Sequence, residues 1–259
     1  MTLTNIERIR LDKAAVDEGF GLRRDDDGTW LAYDSLGSPA TIRLTAVSGG
    51  YVAAVDHDGV AVDLKTRWPL WDGRPPAGFT PFVVSDTGPL HELVREMWRL
   101  ARALPLAPLR AFEKATRGLP RTTEAERLVV QRVGQDVFRT ALMDYWGGCC
   151  AVTGCAEPLL LRASHIKPWA LCEADPERLD VYNGLLLAAH LDAAFDVGLI
   201  DFDDAGQIRF AECFAPEDRL AAGLDDAMAL AKLTTEHRAF LAWRRAHLLT
   251  AAASRSVDG

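Results

Sequence analysis

The segment from Cys149 to Ile208 constrains this chain most, because its apolar runs break at residues able to do chemistry. LLLRASHI reads as a strand ending in His165, and Pro168 then forces the chain out of the sheet, having no N–H to give to a ladder. A polar stretch follows, CEADPERLDVY. Asn183-Gly184 then turns the chain into a second strand, LLLAAH, which leads into a short helix, LDAAFDVG, with Gly198 as its C-cap. The implied order is strand, loop, strand, helix, with polar residues near each junction.

The first half reads differently. Residues 1–15 suit a short helix, and the runs GFGLRR, TWLAYD, ATIRLTAV, YVAAVD and VAVDLK are divided by DDDG, SLGSP, SGG and HDG. Alternation between Gly/Asp turns predicts a small antiparallel sheet or barrel. The proline-rich stretch 68–81 reads as an irregular connector. Helices are expected over 90–104, with Arg95, Arg99 and Arg102 close to one face, and over 106–116. Thr123-x-x-Glu126 is a capping box opening a segment that reaches Trp146, with Gly134 as a place where it could split. A last helix over 234–249 has Phe240, Leu241, Trp243 and Leu248 to bury. The class is therefore α+β: a small β-rich domain with a helical connector over 1–120, and a second domain over 121–259.

Composition narrows the setting. No run of 18 apolar residues occurs, and the charged N-terminus lacks the apolar stretch of a secretory signal, so a cytoplasmic protein without a membrane partner is expected. Five cysteines without a CxxC pair read as thiols rather than as a zinc site or a disulfide framework. The net charge of −8 argues mildly against a nucleic-acid partner. Its distribution matters more: between Arg95 and Arg139 ten basic residues face five acidic ones, a local excess able to meet phosphates.

In combination, Cys150–Gly154 (CAVTG), Ser164–Trp169 (SHIKPW), Asn183–Leu187 (NGLLL) and Phe195–Ile200 (FDVGLI) resemble the HNH endonucleases of the ββα-metal superfamily, in particular a restriction-type branch. The lead-in Arg132–Gln135 with Phe138-Arg139 is similar too, so the resemblance spans about residues 123–248. It implies a metal-dependent DNA endonuclease with a ββα-metal fold; such a site has little surface for reading sequence, so selectivity, including any for a modified base, is expected from the N-terminal domain. His165 matches the general base, and its imidazole titrates near working pH. Asn183 matches the residue that holds the loop and orients that base. One divalent cation is implied, Mg²⁺ or Mn²⁺ ahead of Zn²⁺ or Ni²⁺, on His190 and Asp192, with the choice between them open and Asp196 in reserve. Ser164 stands where many such motifs have Asp. Arg162, Lys167, Arg95, Arg99 and Arg102 are the expected nucleic-acid contacts, and cutting both strands would call for a homodimer. The alternative is a catalytically degenerate HNH fold that binds DNA or a partner protein.

Overall fold

The computed structural model describes residues 2–104, 106–120 and 122–249. Arg121, one of the ten basic residues counted above, lies outside them. The chain forms two compact units that meet between Ala107 and Pro108.

In the first unit, α1 (Asn5–Asp17) opens on a capping box made by Thr4 and Glu7. The strands β1 (Leu22–Asp26), β2 (Leu31–Asp34), β3 (Ile42–Val47) and β4 (Gly50–Val55) follow, then α2 (Asp58–Leu64), β5 (Thr80–Val84) and α3 (Thr87–Ala103). The five strands form one antiparallel sheet in sequence order. β4 is apolar along its whole length because both of its faces are covered. Val52 and Ala54 lie under Trp30, Trp71, Phe79 and Val83, while α2 and α3 contact the same strand.

Two segments differ from the sequence reading. VAVDLK is helical: Val60, Ala61 and Leu64 are buried at helical spacing, Val62 is exposed, and the His57 ring accepts from the Val60 N–H to cap the turn. The proline-rich connector ends in a strand, with Pro81 in β5. That residue is tolerated because β5 is an edge strand, where the missing N–H breaks no ladder.

The second unit begins within α4 (Leu106–Thr116), not near residue 120, because Phe112 packs beside Gly134 of the next helix. That helix, α5 (Glu124–Tyr145), has the expected capping box and runs through Gly134 unbroken. A Cβ at Gly134 would come within 2.4 Å of the Trp169 ring, so the glycine makes room for an aromatic side chain rather than a break. β6 (Leu161–His165) and β7 (Gly184–Ala188) form an antiparallel hairpin that pairs His165 with Gly184. α6 (Asp175–Arg178) lies in the loop between them. α7 (Ala189–Asp196) follows β7 directly, and Gly198 at φ +78° ends it. A small hairpin of β8 (Ile200–Phe202) and β9 (Ile208–Phe210) comes next, then α8 (Pro216–Ala221), α9 (Thr235–Arg244) and a closing π-helical turn, Arg245–Leu249. Leu241 is fully buried, whereas Phe240, Trp243 and Leu248 are only partly covered.

Gly184 is the tightest point of this hairpin. A Cβ there would sit 2.5 Å from Phe138 and 2.9 Å from Leu142, both buried side chains with nowhere to move. Gly184→Ala is therefore expected to destabilise the second unit by about 1–3 kcal/mol, the usual cost of overpacking. A thermal melt unchanged from wild type would refute this.

Candidate active site

A cleft of about 620 Å³ opens in the second unit, where the end of β6 faces α7 and the end of α9. Arg162, Ser164, His165, Trp169, Asp192, Asp196 and Arg244 are among its lining residues. Within it, His165 is gripped on three sides. Its ring stacks on Phe138 of α5, with centroids 3.8 Å apart and planes 16° from parallel. Trp169 meets it edge-on at 5.7 Å. Its Nε2 lies 2.9 Å from the Arg178 carbonyl. A carbonyl only accepts, so Nε2 carries the proton and Nδ1 keeps a free lone pair. Burial lowers the pKa of His165 from 6.5 to about 4, against a smaller opposing effect of that hydrogen bond, so the ring is neutral at pH 7.

Asn183 is fully buried and staples the loop that carries Arg178. Its Oδ1 accepts from the Lys167 N–H at 2.7 Å. Its Nδ2 donates to the Lys167 and Glu177 carbonyls, each at 3.2 Å. Glu177 is the neighbour of Arg178, so the staple ends one residue from the carbonyl that fixes the His165 tautomer.

On α7, Asp192 and Asp196 stand one turn apart and both line the cleft. The Ser164 hydroxyl donates to Asp192 Oδ1. Asp196 holds its proton more tightly than usual, first because it is partly buried and then because of the Asp192 charge. His190 does not join them. β7 ends at Ala188, so His190 falls in the first turn of α7 rather than at a strand end, and a two-residue step along a helix sends it to a different face from Asp192. It is exposed and is not among the cleft's lining residues.

The expected basic contacts divide. Arg162 is exposed at the cleft, bonded only to the nearby Leu159 and Leu161 carbonyls through Nη1. Lys167 is buried instead: its ammonium donates to Glu177 Oε1 at 2.6 Å and sits over the Trp243 ring. It has no free charge to offer a phosphate. In the first unit, Arg95 makes a two-pronged pair with Glu18, Arg102 lies over the Trp98 ring, and the Nε of Arg99 is buried. These three arginines serve the packing of α3 at least as much as its surface.

Sequence reasoning missed Arg244 and Asp201. Arg244 is 2% exposed. Its Nη1 donates to the Ile166 carbonyl at 3.3 Å, its Nη2 to the Phe195 carbonyl, and its plane covers the Phe195 ring at 3.8 Å. Asp201 lies 3.7 Å from its Nε, and burial raises the pKa of that carboxyl to about 6. An arginine in the run Trp243–Arg245 and an aspartate inside an apolar strand were the only signals, and both look like surface charges in a one-dimensional reading.

Residues 150–203 match a family described as HNH endonuclease. The matched stretch takes in β6, β7, α7 and β8. No curated protein matches the chain. The HNH segment thus contains His165, Asn183, Asp192 and Asp196, while Phe138 and Arg244 lie outside it.

A divalent ion is implied by the HNH family, and the donor chemistry can be tested against it. Among the described residues no three His, Cys, Asp or Glu side chains cluster closely enough to enclose an ion. Two carboxylates on one helical face, one of them burdened by the charge of the other, nevertheless suit a hard cation that keeps several waters and takes its remaining oxygens from phosphate. The residues fit a Mg²⁺-like ion better than a closed zinc site.

Proposed function

We propose that this chain is a metal-dependent DNA endonuclease of the restriction type, with cleavage in the second unit and DNA selection in the first. The observation that carries the reading is the neutral, tautomer-fixed imidazole of His165, which opens into the same cleft as Asp192 and Asp196. Nδ1 of His165 takes a proton from a water, whose oxygen forms a bond to phosphorus while the bond to the leaving 3′ oxygen breaks. Arg162 stands where it can meet the phosphate that this reaction charges. Asn183 and the Arg178 carbonyl keep the ring from rotating or changing tautomer. Asp192 and Asp196 would hold the divalent cation, which supplies charge neutralisation at the phosphate and the leaving oxygen.

One site cuts one strand, so double-strand cleavage requires two copies related by a two-fold axis. The five cysteines are all unpaired, which suits a reducing compartment such as the cytoplasm. Among the described residues no helix is long and apolar enough to cross a membrane. A second reading, a fold that binds DNA or a protein without cutting, is favoured by the Ser164 hydroxyl occupying one oxygen of Asp192.

Incubating the protein with unmodified and modified plasmids separates these readings. Cleavage is expected with Mg²⁺ or Mn²⁺ and none with chelator. Binding without cleavage under every metal condition would leave only the second reading, and equal cutting of all plasmids would remove selection by base modification.

A further inference from the structure

Arg244 is the only one of the cleft's lining residues contributed by α9, and it is tied to the two elements that bear the reacting groups. Its Nη1 reaches the carbonyl of Ile166, the residue after His165. Its Nη2 reaches the carbonyl of Phe195, the residue before Asp196. Its plane lies over the Phe195 ring, and its side chain is almost wholly buried. A guanidinium is a rigid planar fork, so two such bonds define the separation between two backbones, which the single flexible ammonium of lysine cannot do.

We infer that Arg244 is a positioning residue whose fork sets the spacing between the His165 strand end and the α7 carboxylates. The Asp201 carboxylate beside Nε offsets part of the burial cost of the charge, but it makes no hydrogen bond in return. Burial makes Arg244 surrender its proton more readily than an exposed arginine, so the charge is kept at an energetic cost. An ion pair alone could be replaced by apolar packing with little loss of stability. A two-pronged backbone clamp could not. The clamp joins the same pieces as Ser164, whose hydroxyl links β6 to Asp192.

This inference rests on the nuclease reading, and its test keeps the two apart. Arg244→Lys and Arg244→Gln are compared with Asp201→Asn, each assayed below its own melting temperature. Both Arg244 variants are expected to lose roughly 10–100-fold in kcat, as residues that orient reacting groups usually do. KM and the Kd for DNA should stay near wild type, and Asp201→Asn should keep its kcat. In the metal-free, DNA-free protein, the carbonyl ¹³C resonances of Ile166 and Phe195 should move in the Arg244 variants and stay in place in Asp201→Asn. A folded Arg244→Lys with wild-type kcat overturns the inference, as does Asp201→Asn reproducing the loss. A rise in KM at constant kcat overturns it too, since it would make Arg244 a DNA contact. If the wild type cuts nothing, the nuclease reading fails, while the carbonyl resonances still decide whether the clamp exists.

Discussion

His165→Ala is expected to leave the protein folded and to lower cleavage by about 10²–10⁴-fold, the range spanned by a lost general base. The ring lies against Phe138 and its Nε2 proton is committed to the Arg178 carbonyl, so only Nδ1 can accept a proton from water. Alanine removes that lone pair but leaves Asp192, Asp196 and Arg162 in the cleft, so DNA binding should survive. The same contacts set the pH behaviour. The folded state favours the neutral ring, with a pKa near 4 against 6.5 in an unfolded chain. Fold stability is therefore lost as pH falls from 6.5 to about 4, where the unfolded ring binds a proton and the folded one does not, whereas the neutral base in the folded protein persists until pH nears 4. In metal-free protein the His165 ring proton resonance should therefore stay constant between pH 8 and 5.5. Titration centred near 6.5, or cleavage by the alanine variant at the wild-type rate, would remove His165 from the role of base.

Asn183→Ala should be the most destabilising polar-to-alanine change in the second unit. Its amide satisfies the Lys167 N–H and two backbone carbonyls in a site from which water is excluded. Each buried group left without a partner costs about 1–3 kcal/mol. The loss should exceed about 3 kcal/mol, visible as a lower urea midpoint. Activity should fall beyond what unfolding explains, because the loop that is set free carries the Arg178 carbonyl. At temperatures where the variant is still folded, kcat should drop roughly 10–100-fold with a smaller change in KM. A variant as stable as wild type would mean that the loop is held by its other contacts, such as the Lys167–Glu177 pair.

Much of the second unit could be read from sequence because its signals are local. The capping box at Thr123, the proline after the His165 strand and the glycine that ends α7 each act within a few residues. The places where the reading differs from the structure need contacts from far along the chain. Gly134 suggests a break until Trp169, 35 positions away, is seen to fill its space. Lys167 looks like a phosphate ligand until Glu177 takes its charge. His190 was read as the end of the strand LLLAAH, and β7 stops at Ala188, two residues before it. Val60 and Val62 alternate like a strand, and only burial separates that pattern from one helical turn. Arg244 looks like one more surface charge in the run Trp243–Arg245, since its partners are backbone oxygens 49 and 78 positions away.

The long helix α5 reaches well beyond capping and packing. It supplies the ring beneath His165 through Phe138, the gap that receives Trp169 through Gly134, and an arginine, Arg139, that secures the Leu161 and Pro158 carbonyls at the entry to β6. Phe138, Gly134 and Arg139 all lie outside 150–203, the stretch that matches the HNH endonuclease family. On the nuclease reading, the smallest piece able to work is thus longer than the matched stretch. An excised 150–203 stretch would keep His165, Asn183, Asp192 and Asp196 and lose the α5 and α9 side chains that hold them.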